Sequence, residues 1–355
     1  MIVLDDITVI RKLDEGGVLA AIKRMDEQVG QAWNEMQTIQ IPEEYKNIRN
    51  IVLSGMGGSA LGGRIVDALT NSIIRAPFEI STEYSIPNYV NEDTLVILSS
   101  YSGNTAETLS AAEKAYEKKA KIFIIATGGK LAEFAKQKNI PAYIYDPKEN
   151  PSNQPRMALG YSITAVIGLL NRLTIVSISE MEIQTIIKLM GDKCIEFSEE
   201  NDITRNEAKN LALKIKSKIP VLIASEHLVG SIHAYKNQLN ENSKTFSLSF
   251  DIPELNHHLM EGLRFPPQLK ENLLFVFINS DLYSEDIKKR YPLTQDVVGK
   301  NEIPSINIYL TGKTKLEQIY EILVLGSFVS FYIAVLYGID PTPIPWVGYF
   351  KSKLS

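Results

Sequence analysis

Two short stretches of this chain have the composition needed to hold a phosphate monoester. The first, GMGGSALGG at 55–63, ends the apolar run Asn50–Ser54 and opens RIVDALTNSI, whose apolar spacing is helical. A glycine-rich turn at a helix start lets backbone N–H groups approach an anion while the positive end of the helix faces it. The second, SSYSGNT at 99–105, sets Ser100, Ser102 and Thr105 around Gly103 at the end of another apolar run. Three hydroxyls beside a helix start suit a dianionic phosphate that is fixed without a metal. Gly58, Ser59, Ser100, Ser102 and Thr105 are therefore the candidate phosphate ligands. Two other readings stay open. Gly55, Gly57 and Ala60 satisfy a G-x-G-x-x-A pattern with Glu83 after the next strand, as in dinucleotide sites. The hydroxyls of the second stretch could instead cap the helix starting near Ala106.

Such loops must be carried by strands that end at them and helices that begin there. The strand, loop, helix unit recurs as TLVILSSYSGNT before AETLSAAEKAYEKKA and as KIFIIATGG before KLAEFAKQKN, with PFEIS as a further short strand. This alternation predicts a doubly wound α/β domain, a mainly parallel sheet with helices on both faces. From Arg156 to about Glu200 the spacing is helical throughout, which predicts a crossover between halves. Strand candidates resume at IPVLIAS, KTFSLSF, NLLFVFINS and PSINIYL, so a second α/β domain is expected. The resulting division is 1–175 and 176–355. The uncharged run Ile322–Ile339 is long enough to span a bilayer, but it is solitary and lacks a basic flank. A helix buried between two layers is the expectation.

Bulk composition narrows the partners. A net charge of -5 over 355 residues offers no basic field for nucleic acid, although a local cationic pocket could hold one phosphate. The single Cys194 allows no internal disulfide and, with four histidines, no Cys-based zinc site. No signal-like apolar stretch stands near the N-terminus, and the chain reads as cytoplasmic, without metal, cofactor, nucleic-acid or membrane partner.

Together, GMGGSALGG and SYSGNTAET resemble the paired signature of the sugar isomerase (SIS) domain family. The two α/β halves, NQLNENSK, PELNHH and a terminal lysine are similar to the bifunctional phosphoglucose/phosphomannose isomerases. The resemblance implies two SIS-type domains, a homodimer and a sugar-phosphate substrate. It implies that Glu241, in the N-x-x-x-E-N-x-K stretch Asn237–Lys244, is the base moving a proton between C2 and C1. Glu226 and Glu254 are the nearest competitors. By the same resemblance His257 serves ring opening from the neighbouring subunit, with His258 a rival, and Lys351 assists it, with Lys353 a rival. Arg156, after PSNQP, would stabilise the enediolate, and Thr342 in DPTP would leave room for the C2 epimer. SIS domains also serve in non-catalytic sugar-phosphate regulators, and fold alone does not separate these functions.

Overall fold

A computed structural model describes residues 3–354. Contacts divide the chain into two compact units, Arg24–Leu189 and the segment through Lys23 joined with the segment from Met190 onward. The division at 175/176 places the first residues with the first sheet; in the structure they pack with the second.

Two short helices come first, α1 (Ile7–Leu13) and α2 (Val18–Lys23). The continuous unit then runs through α3 (Met25–Thr38), β1 (Asn50–Gly55), α4 (Gly58–Thr70), β2 (Phe78–Ser81), β3 (Thr94–Ser100), α5 (Ala106–Glu117), β4 (Lys121–Ala126), α6 (Gly129–Lys138), β5 (Ala142–Ile144) and α7 (Leu159–Arg172). Its boundary falls inside α8 (Glu180–Glu196). All pairings are parallel, in the order β2-β1-β3-β4-β5, with Val52 opposite Val96 on one side and Glu79 on the other. β1, β3 and β4 are apolar along their length because both faces are covered. The three-residue β5 escapes sequence reading because it is too short to show a period. Helix α7 is not a crossover but a core element, packed on α3 and α4. Buried Gln28 ties α3 to the chain before α7, its Nε2 donating to the carbonyls of Glu149 at 3.1 Å and Met157 at 3.0 Å.

The second sheet is built from β6 (Ile219–Ala224), β7 (Leu248–Asp251), β8 (Leu273–Asn279) and β9 (Ser305–Tyr309), all parallel in the order β7-β6-β8-β9. Around it lie α9 (Glu207–Ile215), α10 (Val229–Asn242), the single turn α11 (Leu269–Asn272), α12 (Glu285–Lys300), α13 (Lys315–Leu336) and α14 (Pro345–Leu354). The expected strand KTFSLSF begins only at Leu248, since Thr245 N turns back to the Leu239 carbonyl and Ser247 Oγ to Lys236 O. The uncharged run lies on α13, which is buried almost throughout and packs against α9 and α10.

Charge pairing holds the N-terminal segment to this unit. Lys209 is fully buried, and its Nζ donates to the carbonyls of Glu199 at 3.0 Å and Asn201 at 2.6 Å, with the Asp5 carboxylate at 3.4 Å. Asp5 also accepts from Ile203 N at 2.9 Å. Lys23 Nζ meets buried Glu199 at 2.5 Å. Burial pushes the Glu199 carboxyl up, but Lys23, a backbone N–H and Ser198 outweigh it, and the net shift is downward. A depressed carboxyl stabilises the fold fully above its ordinary value of 4.5 and loses that contribution as pH falls below it. Glu199→Gln is therefore expected to lower stability by about 1–2 kcal/mol at neutral pH. Urea unfolding at pH 7 and at pH 4 checks this; a wild-type to variant gap that fails to shrink in acid would refute the assignment.

Candidate active site

In the continuous unit, β1 and β3 are neighbours whose helical connections leave on opposite sides, so their loops adjoin at the carboxyl ends of the strands. Ser59 Oγ accepts from Tyr101 N at 2.9 Å, and Ser99 Oγ donates to the Ser59 carbonyl at 2.8 Å, joining the two loops. The Ser59 hydroxyl hydrogen is left to donate elsewhere. Thr105 stands at the N-cap of α5 without making a side-chain cap bond; its Oγ1 pairs with Ser100 Oγ at 2.8 Å. Simple capping is thus not what these hydroxyls do. Ser102 is exposed, and its Oγ accepts from Asn104 N at 3.3 Å.

Gly57 adopts φ 49°, and Gly58 admits the chain that carries Arg156, since a Cβ there would lie 2.8 Å from Pro155 C and 2.9 Å from Arg156 N. Arg156 is 1% exposed, so it is no surface charge. Its Nη1 donates to Gln154 Oε1 at 2.8 Å. The loop before it is fixed by side chains that sequence reasoning passed over. Tyr101 Oη donates to Asn153 Oδ1 at 3.0 Å, Asn150 Nδ2 donates to Tyr101 Oη at 3.0 Å, and Ser152 Oγ donates to Asn150 Oδ1 at 2.7 Å. The Asn and Ser content of NPSNQ was the available signal. A small cleft is lined by Gly58, Ser59, Ser99, Tyr101, Pro155 and Ser162.

Glu241, half-buried, occupies the last turn of α10 in the other unit. That turn is clamped to α13: Ser327 Oγ donates to Gln238 Oε1 at 3.1 Å and Asn242 Nδ2 to Ser330 Oγ at 3.0 Å. Tyr235 lies over Gly326, where a Cβ would approach its ring to 2.7 Å. Asn242 and Ser243 are buried, so ENSK is not a solvated turn. Lys244, at φ 55°, donates to the carbonyls of Asn242 at 3.0 Å, Asp340 at 3.2 Å and Pro341 at 3.0 Å, linking the Glu241 turn to the segment holding Thr342.

The competing glutamates have other surroundings. Glu226 accepts from Ser284 N at 3.1 Å, where α12 starts, while Glu254 is exposed. His257 and His258 are both exposed, His257 as the last residue of a 3-10 turn, Glu254–His257, and His258 just after it. The turn itself is fixed, with Leu255 buried and Asn256 Nδ2 donating to Thr294 Oγ1 at 2.8 Å. Lys351 and Lys353 are exposed on α14, a helix with no buried residue and with Trp346, Tyr349 and Phe350 bare. His227, not considered as a site residue, is buried, and its Nε2 lies 3.0 Å from Gln318 Oε1. Burial pushes its pKa down and outweighs the Gln318 hydrogen bond, so the net shift favours the neutral ring. Among the described residues no group of three or more His, Cys, Asp or Glu could hold a metal ion.

The SIS domain model matches residues 44–171, and the bacterial phospho-glucose isomerase C-terminal SIS domain model matches 204–354. In solved structures, the chain resembles a hypothetical protein from Thermus thermophilus, with a TM-score of 0.76, 15% identity and coverage of 98% of this chain and 93% of that one. It also resembles a glucose-6-phosphate isomerase like protein from the same organism, with a TM-score of 0.62, 16% identity and coverage of 96% and 98%. Those likenesses establish the fold, two SIS-type α/β domains. Sequence goes further. A bifunctional phosphoglucose/phosphomannose isomerase of Thermoplasma acidophilum is 31% identical, over 86% of this chain and 90% of that protein. The enzyme of the same description from Caldicellulosiruptor bescii is 33% identical, over 94% of this chain and 98% of its own length. Similarity at that level over most of both chains is that of a shared lineage, and this chain belongs to the bifunctional phosphoglucose/phosphomannose isomerase family.

Proposed function

We propose that this protein is an aldose–ketose isomerase that interconverts glucose 6-phosphate and mannose 6-phosphate with fructose 6-phosphate through a cis-enediol, without a cofactor. The reading rests above all on the hydroxyl set at the start of α5. Thr105 leaves that helix end without a side-chain cap and pairs with Ser100 instead, beside the bridging Ser59. A helix end ringed by hydroxyls is suited to a phosphate dianion. Gly58, Ser59, Ser100, Ser102 and Thr105 are assigned to it.

Glu241 is the proposed base. It removes the proton from C2 of the open-chain aldose and returns it to C1, and the clamped helix end holds its half-buried carboxylate in place for both transfers. Arg156 is assigned to the negative charge of the enediolate; its burial supports this, since a buried guanidinium acts where solvent screens little. Lys351 and His257 are assigned to ring opening, and Thr342 to admitting the C2 epimer. We further propose a homodimer in which His257 serves the neighbouring copy. An exposed imidazole on a fixed turn is what such a donation requires. Cytoplasmic location is part of the same reading.

Hydroxyl ligands of a phosphate bind ground state and transition state about equally. Ser102→Ala and Thr105→Ala are accordingly expected to raise KM for fructose 6-phosphate roughly tenfold with kcat nearly kept. Unchanged affinity in both variants would remove these residues from the phosphate site. Glu241→Gln keeps the shape but not the basic oxygen, so kcat is expected to fall about a hundredfold or more with inhibitor binding retained. Exchange of the C2 proton with solvent at the wild-type rate in that variant would overturn the base assignment. Mixing Glu241→Gln with His257→Ala under subunit exchange is expected to return about a quarter of wild-type activity, since random pairing makes half the dimers mixed, each with one intact site. No recovery despite exchange demonstrated by mass would place His257 in its own subunit's site.

A further inference from the structure

Thr342 is held by two segments far from it in sequence. On one side, Lys244 grips the Asp340 and Pro341 carbonyls, and Asp340 Oδ1 accepts from Thr342 N at 2.8 Å. On the other lies the turn between α1 and α2. Its Asp14 accepts from Val18 N at 2.7 Å and Leu19 N at 3.0 Å, fixing the turn to the start of α2. Gly16, in the middle of that turn, lies directly against Thr342. A Cβ at Gly16 would fall 2.1 Å from Thr342 Oγ1, 2.4 Å from Cγ2 and 2.5 Å from Cβ. No heavy atoms approach so closely, and Thr342 Cβ is not the far end of a flexible chain. Gly16 is outside the left-handed region, unlike Gly17 at φ 73°, so its lack of a side chain answers to Thr342 and not to the backbone.

We infer that the Asp14–Gly17 turn is the seat of Thr342 and that Gly16 is a positioning residue for discrimination between the C2 epimers. The inference rests on the proposed specificity role of Thr342. A methyl at Gly16 displaces Thr342 from its seat, and a displaced Thr342 narrows the room for the mannose epimer while leaving the phosphate ligands of the other unit untouched. Discrimination between epimers is a ratio of kcat/KM values, so a general loss of stability or of active fraction cancels from it.

The test is a double-variant cycle in the full chain, reading kcat/KM for mannose 6-phosphate over that for glucose 6-phosphate. Gly16→Ala is expected to lower this ratio about threefold or more, a small part of what one steric contact can discriminate. In a Thr342→Gly background the same change should leave the ratio where Thr342→Gly alone puts it, because nothing remains to be pushed. If Thr342→Gly shifts the ratio and a folded Gly16→Ala does not, the seat is refuted while the role of Thr342 stands. If Thr342→Gly itself leaves the ratio unchanged, the specificity role of Thr342 fails, and the inference falls with it. Should Gly16→Ala not fold, Asp14→Ala loosens the same turn without adding bulk; a ratio shifted about threefold supports the seat, and an unchanged one overturns it.

Discussion

A parallel sheet that sends its first connection one way and its second the other must leave two loops side by side at the carboxyl ends of its central strands. Both units obey this constraint, through β1 and β3 in one and β6 and β8 in the other. What each does with the resulting crevice differs. In the continuous unit the adjoining loops present hydroxyls and glycines. In the other they are filled by their own side chains: Ser280 Oγ donates to Gln318 Oε1 at 2.6 Å, and Ser225 N donates to Tyr283 Oη at 3.2 Å. The Glu226 carboxylate is engaged there with Ser284 N. One copy of the topology keeps an open helix end, and the other has become a packed junction.

In the second unit the proposed base stands at a helix end of another kind. The carboxyl terminus of α10 is not at the crevice, and its position comes from α13, whose small Gly326, Ser327 and Ser330 let α10 approach closely. A charged residue on that face of α13 would need a partner in the unit's core. The absence of charge that gives this helix a membrane-like composition is thus the condition for placing Glu241.

Much of this was legible in the sequence because it is local. Short apolar runs, most of them ending in glycine or serine, predicted eight of the nine strands among the described residues, and only β5 was too short to register. The hydroxyl loop and the burial of α13 followed from spacing and composition, whereas Glu241 was reached only through the resemblance and its helix was not foreseen. What was not legible depends on residues distant in the chain. Lys209 reads as an ordinary surface lysine on a helix, yet it is fully buried by contacts with Asp5, Glu199 and Asn201. Gly16 reads as half of a turn-forming Gly-Gly pair, and nothing near it points to Thr342. The assignment of the first residues to the wrong sheet has the same cause, since no local pattern marks Asp5 and Lys23 as partners of a segment beginning near residue 199. Arg156 could be read as a surface charge for want of any sign that Tyr101 and Asn150 would order the loop before it.

The discontinuity of the second unit also orders events in time. A nascent chain presents residues 3–23 well before their partners Glu199, Lys209 and Thr342 are made. The stretch from Arg24 to Leu189 meanwhile contains a complete sheet and can settle as soon as it emerges. The leading segment must stay undocked while an entire domain forms behind it. Its two short helices, of 7 and 6 residues, are too brief to persist alone in water. Translation speed over the second half of the message therefore sets how long that leading segment remains available to chaperones or proteases.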